Sequence, residues 1–182
     1  MRLAAVSLRA SIALGLAACT PAGGTSNDGG LLGGDANEFV TAHNVARINA
    51  TPKPDPALPN VSWSASVAAT AQAYADGCVF KHNAARGNLG ENLFANSGEN
   101  FSPTAVVEGW ESEKADYDYA TNTCAAGKQC GHYTQVVWKD SVEIGCGMRV
   151  CEGNSPFAQF PRWQLWVCNY SPPGNFVGQK PY

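Results

Sequence analysis

The sequence lacks the short motifs that mark common hydrolases and nucleotide-binding enzymes. G-x-S-x-G, H-E-x-x-H and the phosphate-binding P-loop are all missing, so these enzyme classes have no support. No C-x-x-C pair occurs, which argues against a redox-active dithiol and a zinc ribbon. Only 15% of the residues are charged, the formal net charge is -3, and no basic stripe is present. We therefore predict no nucleic-acid partner.

The N-terminal residues have the composition of an export signal. Arg2 and Arg9 stand in or beside a short apolar region, and the apolar run 10–18 is too short to span a bilayer but suits a signal-peptide core. We therefore predict that residues 1–18 are a signal peptide. The remaining chain is long enough for one hydrophobic core and offers no second one.

Leu16-Ala17-Ala18-Cys19 resembles the processing site of bacterial lipoproteins, where the cysteine is acylated. The alternative is an ordinary secretory peptide with a cysteine after its alanine-rich end. The chain has seven cysteines, and setting Cys19 aside leaves an even set, which favours the lipoprotein. Residues 19–34 are then a lipidated cysteine and a flexible Gly-rich linker that attaches the protein to a membrane. We predict a lipoprotein of the bacterial cell envelope, or an extracellular protein under the alternative.

Residues 35–182 form the predicted folded domain, with helices first and strands last. Helical periodicity and capping signals predict three helices, which start near Asp35, Ser64 and Pro103 and reach toward Pro52, Cys78 and Tyr117. Segments rich in β-branched and aromatic residues predict three antiparallel strands, at 133–138, 142–150 and 163–170. This order indicates an α+β domain.

Two segments resemble the signatures of the CAP superfamily, which joins cysteine-rich secretory proteins, antigen 5 and plant pathogenesis-related proteins of class 1. They are Gly131-His132-Tyr133-Thr134-Gln135-Val136-Val137-Trp138 and Cys168-Asn169-Tyr170-Ser171-Pro172-Pro173-Gly174-Asn175-Phe176. Further matches are His43-Asn44 with Arg47, Gly90-Glu91-Asn92-Leu93, and Trp110 with Glu113. The resemblance covers residues 35–182, is closest to the plant proteins, and implies a three-layer α-β-α sandwich with a mostly antiparallel sheet.

The resemblance also implies a central cleft with four polar residues: His82, Glu91, Glu113 and His132. Helical geometry turns the neighbouring Glu111 about 200° away from Glu113, so Glu113 takes the inward role. Such a tetrad could hold Zn²⁺ or another divalent metal. Without a metal, each glutamate could hold one histidine in a structural polar network. We expect the third histidine, His43, to lie in the core.

The family's disulfide pairing implies three bonds here: Cys78–Cys151, Cys124–Cys130 and Cys146–Cys168. Two features depart from the family pattern. Trp166 replaces a smaller residue, and the segment 152–164 is longer than in the plant proteins. The aromatic residues of this segment, Phe157, Phe160 and Trp163, either cover the sheet or form an apolar contact surface.

The resemblance implies an exported, non-enzymatic CAP (SCP) domain that binds a small apolar ligand, such as a sterol or fatty acid, or a protein partner. A divalent metal in the cleft is compatible with this function. The alternative hypothesis is a metal-dependent hydrolase, acting as a peptidase or esterase. In that case His82 and His132 would hold the metal, and Glu91 or Glu113 would be the general base.

Overall fold

The computed structural model describes Leu31, residues 34–98 and residues 101–182. Within these residues, the helices are α1 (Asp35–Ile48), α2 (Ala65–Ala75), α3 (Pro103–Glu111) and α4 (Gly131–Val136). The strands are β1 (Ser62–Trp63), β2 (Gly90–Asn96), β3 (Tyr117–Asp118), β4 (Thr123–Cys124), β5 (Glu143–Glu152) and β6 (Arg162–Ser171). A 3₁₀ turn, Ser112–Asp116, continues α3.

The middle layer is a four-stranded sheet in the order β1-β5-β6-β2. β1 is parallel to β5, and the other neighbours are antiparallel. Alternate residues of β6 face opposite sides. Trp166 and Tyr170 pack with residues of α1, α3 and α4, while Leu165 and Val167 pack with residues of α2. The predicted three-layer α-β-α sandwich with a mostly antiparallel sheet is therefore confirmed.

α2 lies close to β5 because glycines leave room for its backbone. A Cβ atom at Gly145 would lie 2.0 Å from the backbone N of Ala68, and one at Gly147 would lie 2.4 Å from the Cα of Gln72. The Gln72 side chain fixes the same contact, since its amide donates to Met148 O at 3.0 Å and accepts from Met148 N at 3.1 Å. The helix and strand are thus joined by backbone proximity and a paired amide.

The prediction of a strand at 133–138 is wrong, because α4 and the turn after it occupy this segment. The carboxylate of Glu113 accepts hydrogen bonds from the backbone N–H groups of His132 and Tyr133, which are free donors at a helix start. Tyr133 and Val136 are fully buried in the core between the sheet and helices α1, α3 and α4. Burial and a carboxylate from a distant segment therefore outweigh the β-preference of the local sequence.

Other element boundaries differ from the prediction in detail. Asp35 begins α1, with Gly34 at the cap position, and the Glu38 carboxylate accepts from Thr104 N at the start of α3. Ser64 precedes α2 as predicted, but its hydroxyl contacts Ser66 and caps no N–H group. β5 and β6 match their predicted ranges within two residues, whereas the other strands were not predicted.

The two departures from the family pattern have a structural explanation. Trp166 is buried between the sheet and helices α1, α3 and α4, and its indole N–H lies 3.2 Å from Asn96 Oδ1. In the longer segment, Trp163 is buried and Phe157 packs beside it. Phe160 remains 52% exposed. The segment therefore mainly covers the sheet, with one aromatic side chain left at the surface.

The predicted signal peptide, Cys19 and residues 20–30 lie outside the described residues. Two described residues belong to the predicted linker. Leu31 packs against the core that the sheet forms with α1, α3 and α4, and Gly34 precedes α1. In the part of the chain that the structure describes, no helix has the length and apolar character needed to cross a membrane.

Three disulfides join Cys78 to Cys151, Cys124 to Cys130, and Cys146 to Cys168. This is the pairing that the family resemblance implies. Three disulfides in a small domain are typical of proteins that fold in an oxidising compartment, which supports export.

Candidate functional site

The predicted tetrad converges at one cleft of about 300 Å³. Three of its members line the cleft: His82, Glu91 and His132. Glu113 lies behind His132 and contacts its ring. The remaining lining residues are Asn92, Gln129, Cys130, Gly131 and Asn175.

His82 is held by Glu91 at one end of the cleft. Its Nδ1 lies 2.8 Å from Glu91 Oε1, which also accepts the backbone N–H of Asn83 at 2.8 Å. The Glu91 side chain is 1% exposed and the His82 side chain 60% exposed. Arg86 stabilises the intervening loop by donating to the carbonyls of Asn83 and Leu89. The His82 ring is thus fixed through Nδ1, and its Nε2 has no partner in the part of the chain that the structure describes.

His132 is held in the same way by Glu113. Its Nδ1 lies 2.6 Å from Glu113 Oε1, while Oε2 accepts the N–H groups of His132 and Tyr133 at 2.9 and 3.1 Å. Trp110 stacks on the imidazole, with 6.3 Å between ring centroids. Burial by itself raises the pKa of Glu113, but its hydrogen bonds and the adjacent His132 outweigh this effect and lower the pKa.

Glu111 faces another direction, as the helical geometry predicts. Its carboxylate lies 3.9 Å from Lys114 Nζ, and it lines a separate pocket. Glu113 itself lies in the 3₁₀ turn after α3. Its inward position therefore agrees with the prediction, although its backbone is not α-helical.

A buried polar network supports the backbone of His132 from behind. The Asn92 amide donates to His132 O at 3.0 Å and to the Tyr170 hydroxyl at 3.1 Å. The hydroxyl contacts His43 Nε2 at 2.9 Å, and His43 Nδ1 donates to Phe39 O at 2.8 Å. His43 is fully buried, so the prediction of a core histidine is confirmed.

Sequence reasoning missed two of the residues that position the cleft. Asn92 follows Glu91 on β2. Because side chains alternate along a strand, Asn92 would be expected on the opposite face of the sheet, the face that α1, α3 and α4 cover. Asn175 holds the start of α4: its Nδ2 donates to Gly131 O at 2.8 Å, and its Oδ1 accepts from the Thr134 hydroxyl at 2.8 Å. Its backbone is left-handed, with φ 58°, which asparagine tolerates better than most residues.

The Cys124–Cys130 disulfide closes a short loop directly before α4. Replacing both cysteines by serine should cost about 2 kcal/mol of unfolding free energy, because a loop with a sequence separation of 6 loses little chain entropy when it is closed. Urea unfolding of the oxidised wild type and the double variant measures this difference. A variant as stable as the wild type would contradict the prediction.

The donor chemistry of the cleft fits a divalent metal in part. The Nδ1 atoms of His82 and His132 each contact a carboxylate. Metal-binding histidines usually have such a hydrogen-bond partner on the ring nitrogen that does not bind the metal. Within the described residues, neither Nε2 has a hydrogen-bond partner, and no group of three or more His, Cys, Asp or Glu is close enough to hold a metal ion. His82 and His132 could thus supply two ligands, and water or a bound molecule would supply the others.

The chain matches the family model described as "Cysteine-rich secretory protein family" over residues 40–170. It is 42% identical to pathogenesis-related leaf protein 4 of Solanum lycopersicum over 145 residues, which cover 80% of this chain and 82% of the relative. It is 42% identical to peptidase inhibitor 16 of Bos taurus over 166 residues, which cover 91% of this chain. The match spans only 34% of that longer relative.

A solved structure, NaASP2 with Zn²⁺, has the same fold. The TM-score is 0.65 at 25% sequence identity, and the alignment covers 86% of this chain and 88% of the other. The fold, the three disulfides and the family match agree with one another. The chain belongs to the CAP family, the family of cysteine-rich secretory proteins.

Proposed function

We propose that this protein is an exported, non-enzymatic binding protein whose cleft binds a divalent metal ion through Nε2 of His82 and His132. One observation carries the proposal: each imidazole is held at Nδ1 by a carboxylate, and no group among the described residues is a partner of its Nε2. The carboxylate fixes the ring and raises the basicity of the outer nitrogen. The similarity to NaASP2, whose structure was solved with Zn²⁺, supports zinc as the first ion to test.

The engagement of both glutamates favours binding over hydrolysis. A general base needs an oxygen free to accept a proton and a pKa near the working pH. Glu91 Oε1 contacts His82 and the N–H of Asn83, Oε2 lies 3.5 Å from Asn169 Nδ2, and the side chain is 1% exposed. Glu113 accepts three hydrogen bonds around His132, and its pKa is lowered, which makes it a weaker base. The metal-dependent hydrolase is therefore the less favoured hypothesis.

The proposal includes a small apolar ligand, such as a sterol or fatty acid, or a protein partner. The name of the bovine relative, a peptidase inhibitor, supports a protein partner, although the match spans a third of that protein. We further propose that Cys19 carries a lipid anchor in a bacterial cell envelope, as its sequence context indicates. Mass spectrometry of the mature N-terminus tests the anchor: an acylated Cys19 is expected, and an unmodified soluble form would contradict it.

Removing one imidazole should nearly abolish metal binding. His132→Ala should weaken Zn²⁺ binding by at least about 100-fold, because the site loses one of its two protein nitrogen ligands. Glu113→Gln should have a smaller effect, about 10-fold or more, since it only supports the ring. Isothermal titration of the purified, oxidised protein with Zn²⁺ measures both values.

Glu111→Gln is the matched control for Glu113→Gln, because Glu111 lies two residues before Glu113 but faces away from the cleft. It should bind Zn²⁺ like the wild type. Equal affinity in His132→Ala and the wild type would overturn the metal site. Zinc-dependent turnover of peptide or ester panels that disappears in Glu113→Gln would instead establish the hydrolase alternative.

A further inference from the structure

The two histidines of the metal cleft belong to opposite faces of the central sheet. His82 lies in the loop after α2, and its partner Glu91 shares a face of β2 with Leu93, which packs with residues of α2. His132 lies in α4, which packs with α1 and α3 on the other face. A metal ion bound to both imidazoles would therefore join two layers of the fold.

Adjacent residues of β2 connect these two halves of the cleft. Glu91 holds the His82 ring. The next residue, Asn92, points to the opposite face and donates to His132 O at 3.0 Å. The distance between the two rings thus depends on how firmly two neighbouring residues of one strand are held.

The amide of Asn92 fixes the His132 half. Asn92 is 1% exposed, and its Nδ2 donates to His132 O and, at 3.1 Å, to the Tyr170 hydroxyl. These two contacts use both hydrogens of the amide. The side chain that binds the His132 carbonyl therefore cannot turn away without losing a second hydrogen bond.

Asn169 has the corresponding place in the His82 half. It is fully buried, lies opposite Glu91 in the β2–β6 pairing, and donates to Gly90 O at 3.0 Å. The same amide lies 3.5 Å from Glu91 Oε2, which is near the outer limit of a hydrogen bond. Its main contact is thus with the backbone directly before Glu91, as that of Asn92 is with the backbone of His132.

Stability alone does not explain two buried amides at this place. Their neighbours on the two strands, Leu93, Val167 and Cys168, are buried and apolar or disulfide-bonded. A buried amide loses its hydrogen bonds to water, and its bonds within the protein largely offset this loss, whereas an apolar side chain gains free energy on burial. What the two amides add is a fixed position for two backbone carbonyls.

We infer that Asn92 and Asn169 are positioning residues of the metal cleft, Asn92 for His132 and Asn169 for His82. Both act through backbone carbonyls, and neither is a metal ligand. The inference rests on the proposed function and names the residues that set the distance between the two ligands. It also assigns each asparagine to one ring, so the two halves can be disturbed separately.

Nitrogen NMR of the histidine side chains in the metal-free, oxidised protein tests this assignment. Asn92→Ala should shift the ring nitrogens of His132, whose hydrogen bond to Glu113 changes when its backbone moves, and leave those of His82 in place. Asn169→Ala should do the reverse, through Glu91. Each variant is thus the control of the other. Shifts in neither ring, or equal shifts in both rings with both variants, would overturn the inference.

The Zn²⁺ affinity from isothermal titration is the second readout. Each variant should bind Zn²⁺ at least about 5-fold more weakly than the wild type, because direct outer partners of metal-binding histidines contribute about 10- to 100-fold and these residues act one step further out.

Asn96→Ala is the matched control for both asparagine variants. Asn96 is a buried asparagine of the same strand, and its amide also donates to a backbone carbonyl, that of Gly98, at 2.9 Å. At about 3.3 Å per residue it lies about 13 Å beyond Asn92, so this variant should bind Zn²⁺ within about 2-fold of the wild type. If it weakened binding as much as Asn92→Ala, the effect would belong to any buried amide and the inference would fail.

One measurement needs no variant and so does not depend on folding. In the wild type, the side-chain amide hydrogens of Asn92 and Asn169 should exchange with solvent at least about 100-fold more slowly than those of the exposed Asn60, since they are buried and hydrogen-bonded. Exchange as fast as in Asn60 would rule out the positioning role. A wild type that binds no Zn²⁺ would contradict the proposed function, while the metal-free spectra would still decide this inference.

Discussion

Replacing Gly145 by alanine should cost about 4 kcal/mol of unfolding free energy or more. The new Cβ atom would lie 2.0 Å from Ala68 N and 2.5 Å from Val67 C. These are backbone atoms, so no side-chain rotation can relieve the overlap, and α2 would have to move away from β5. Such a shift would also separate Gln72 from its paired contacts with Met148. Overpacking against rigid backbone is one of the mechanisms by which a point mutation causes the largest losses of stability.

Urea unfolding at neutral pH measures this loss. Gly98→Ala is the control, because the nearest atom to its added Cβ is the Asn96 side-chain nitrogen at 3.6 Å, an ordinary contact. It should change stability by less than about 1 kcal/mol. If Gly145→Ala unfolded at the same urea concentration as the wild type, the close packing of α2 on the sheet would be wrong.

Acid should destabilise the domain through His43 well before most carboxylates titrate. Burial is the main reason that the pKa of His43 falls from 6.5 to about 4; the Arg47 charge lowers it further, while the hydrogen bond to Phe39 O opposes both. Below pH 6.5 the unfolded chain binds a proton at this site, and the folded chain does so only near pH 4. Folding stability should therefore fall across this window, by about 3 kcal/mol in total.

The measurement is the unfolding free energy at pH 7, 6 and 5, compared with that of His43→Gln. The variant cannot titrate at position 43, so its stability should decline less over this range. Glu113 contributes at lower pH, because its lowered pKa stabilises the fold above its unfolded value near 4.5 and this contribution is lost in acid. Parallel curves for the wild type and His43→Gln would rule out His43 as the source of the acid sensitivity.

Three members of the predicted tetrad, Glu91, Glu113 and His132, lie in local patterns that the sequence shares with the family. Glu91 lies in Gly90-Glu91-Asn92-Leu93, and His132 opens the first signature. The same local evidence failed at Tyr133, whose β-preference suggested a strand. What determines the helix there is the carboxylate of Glu113, which reaches the backbone from a different segment. Local preference cannot register such a contact.

The surroundings of the proline-rich connection, residues 52–59, were beyond sequence reasoning for a similar reason. The run of prolines predicts an extended connection between two helices and nothing about what faces it. Tyr182 contacts this connection at Pro52 O, and Arg47 joins it to the segment at Lys139 by donating to the carbonyls of Pro59 and Lys139. Backbone carbonyls have no residue type, so an arginine that binds them leaves no partner to recognise in the sequence.

Nitrogen NMR of the three histidine side chains, recorded during a Zn²⁺ titration of the oxidised protein, tests the central claim most directly. The spectra distinguish Nδ1 from Nε2 in each ring. We predict that Zn²⁺ shifts Nε2 of His82 and His132 together at one equivalent and leaves the buried His43 unchanged. If neither Nε2 responds, or if Zn²⁺ displaces the carboxylates and binds at Nδ1, the proposed metal cleft is contradicted.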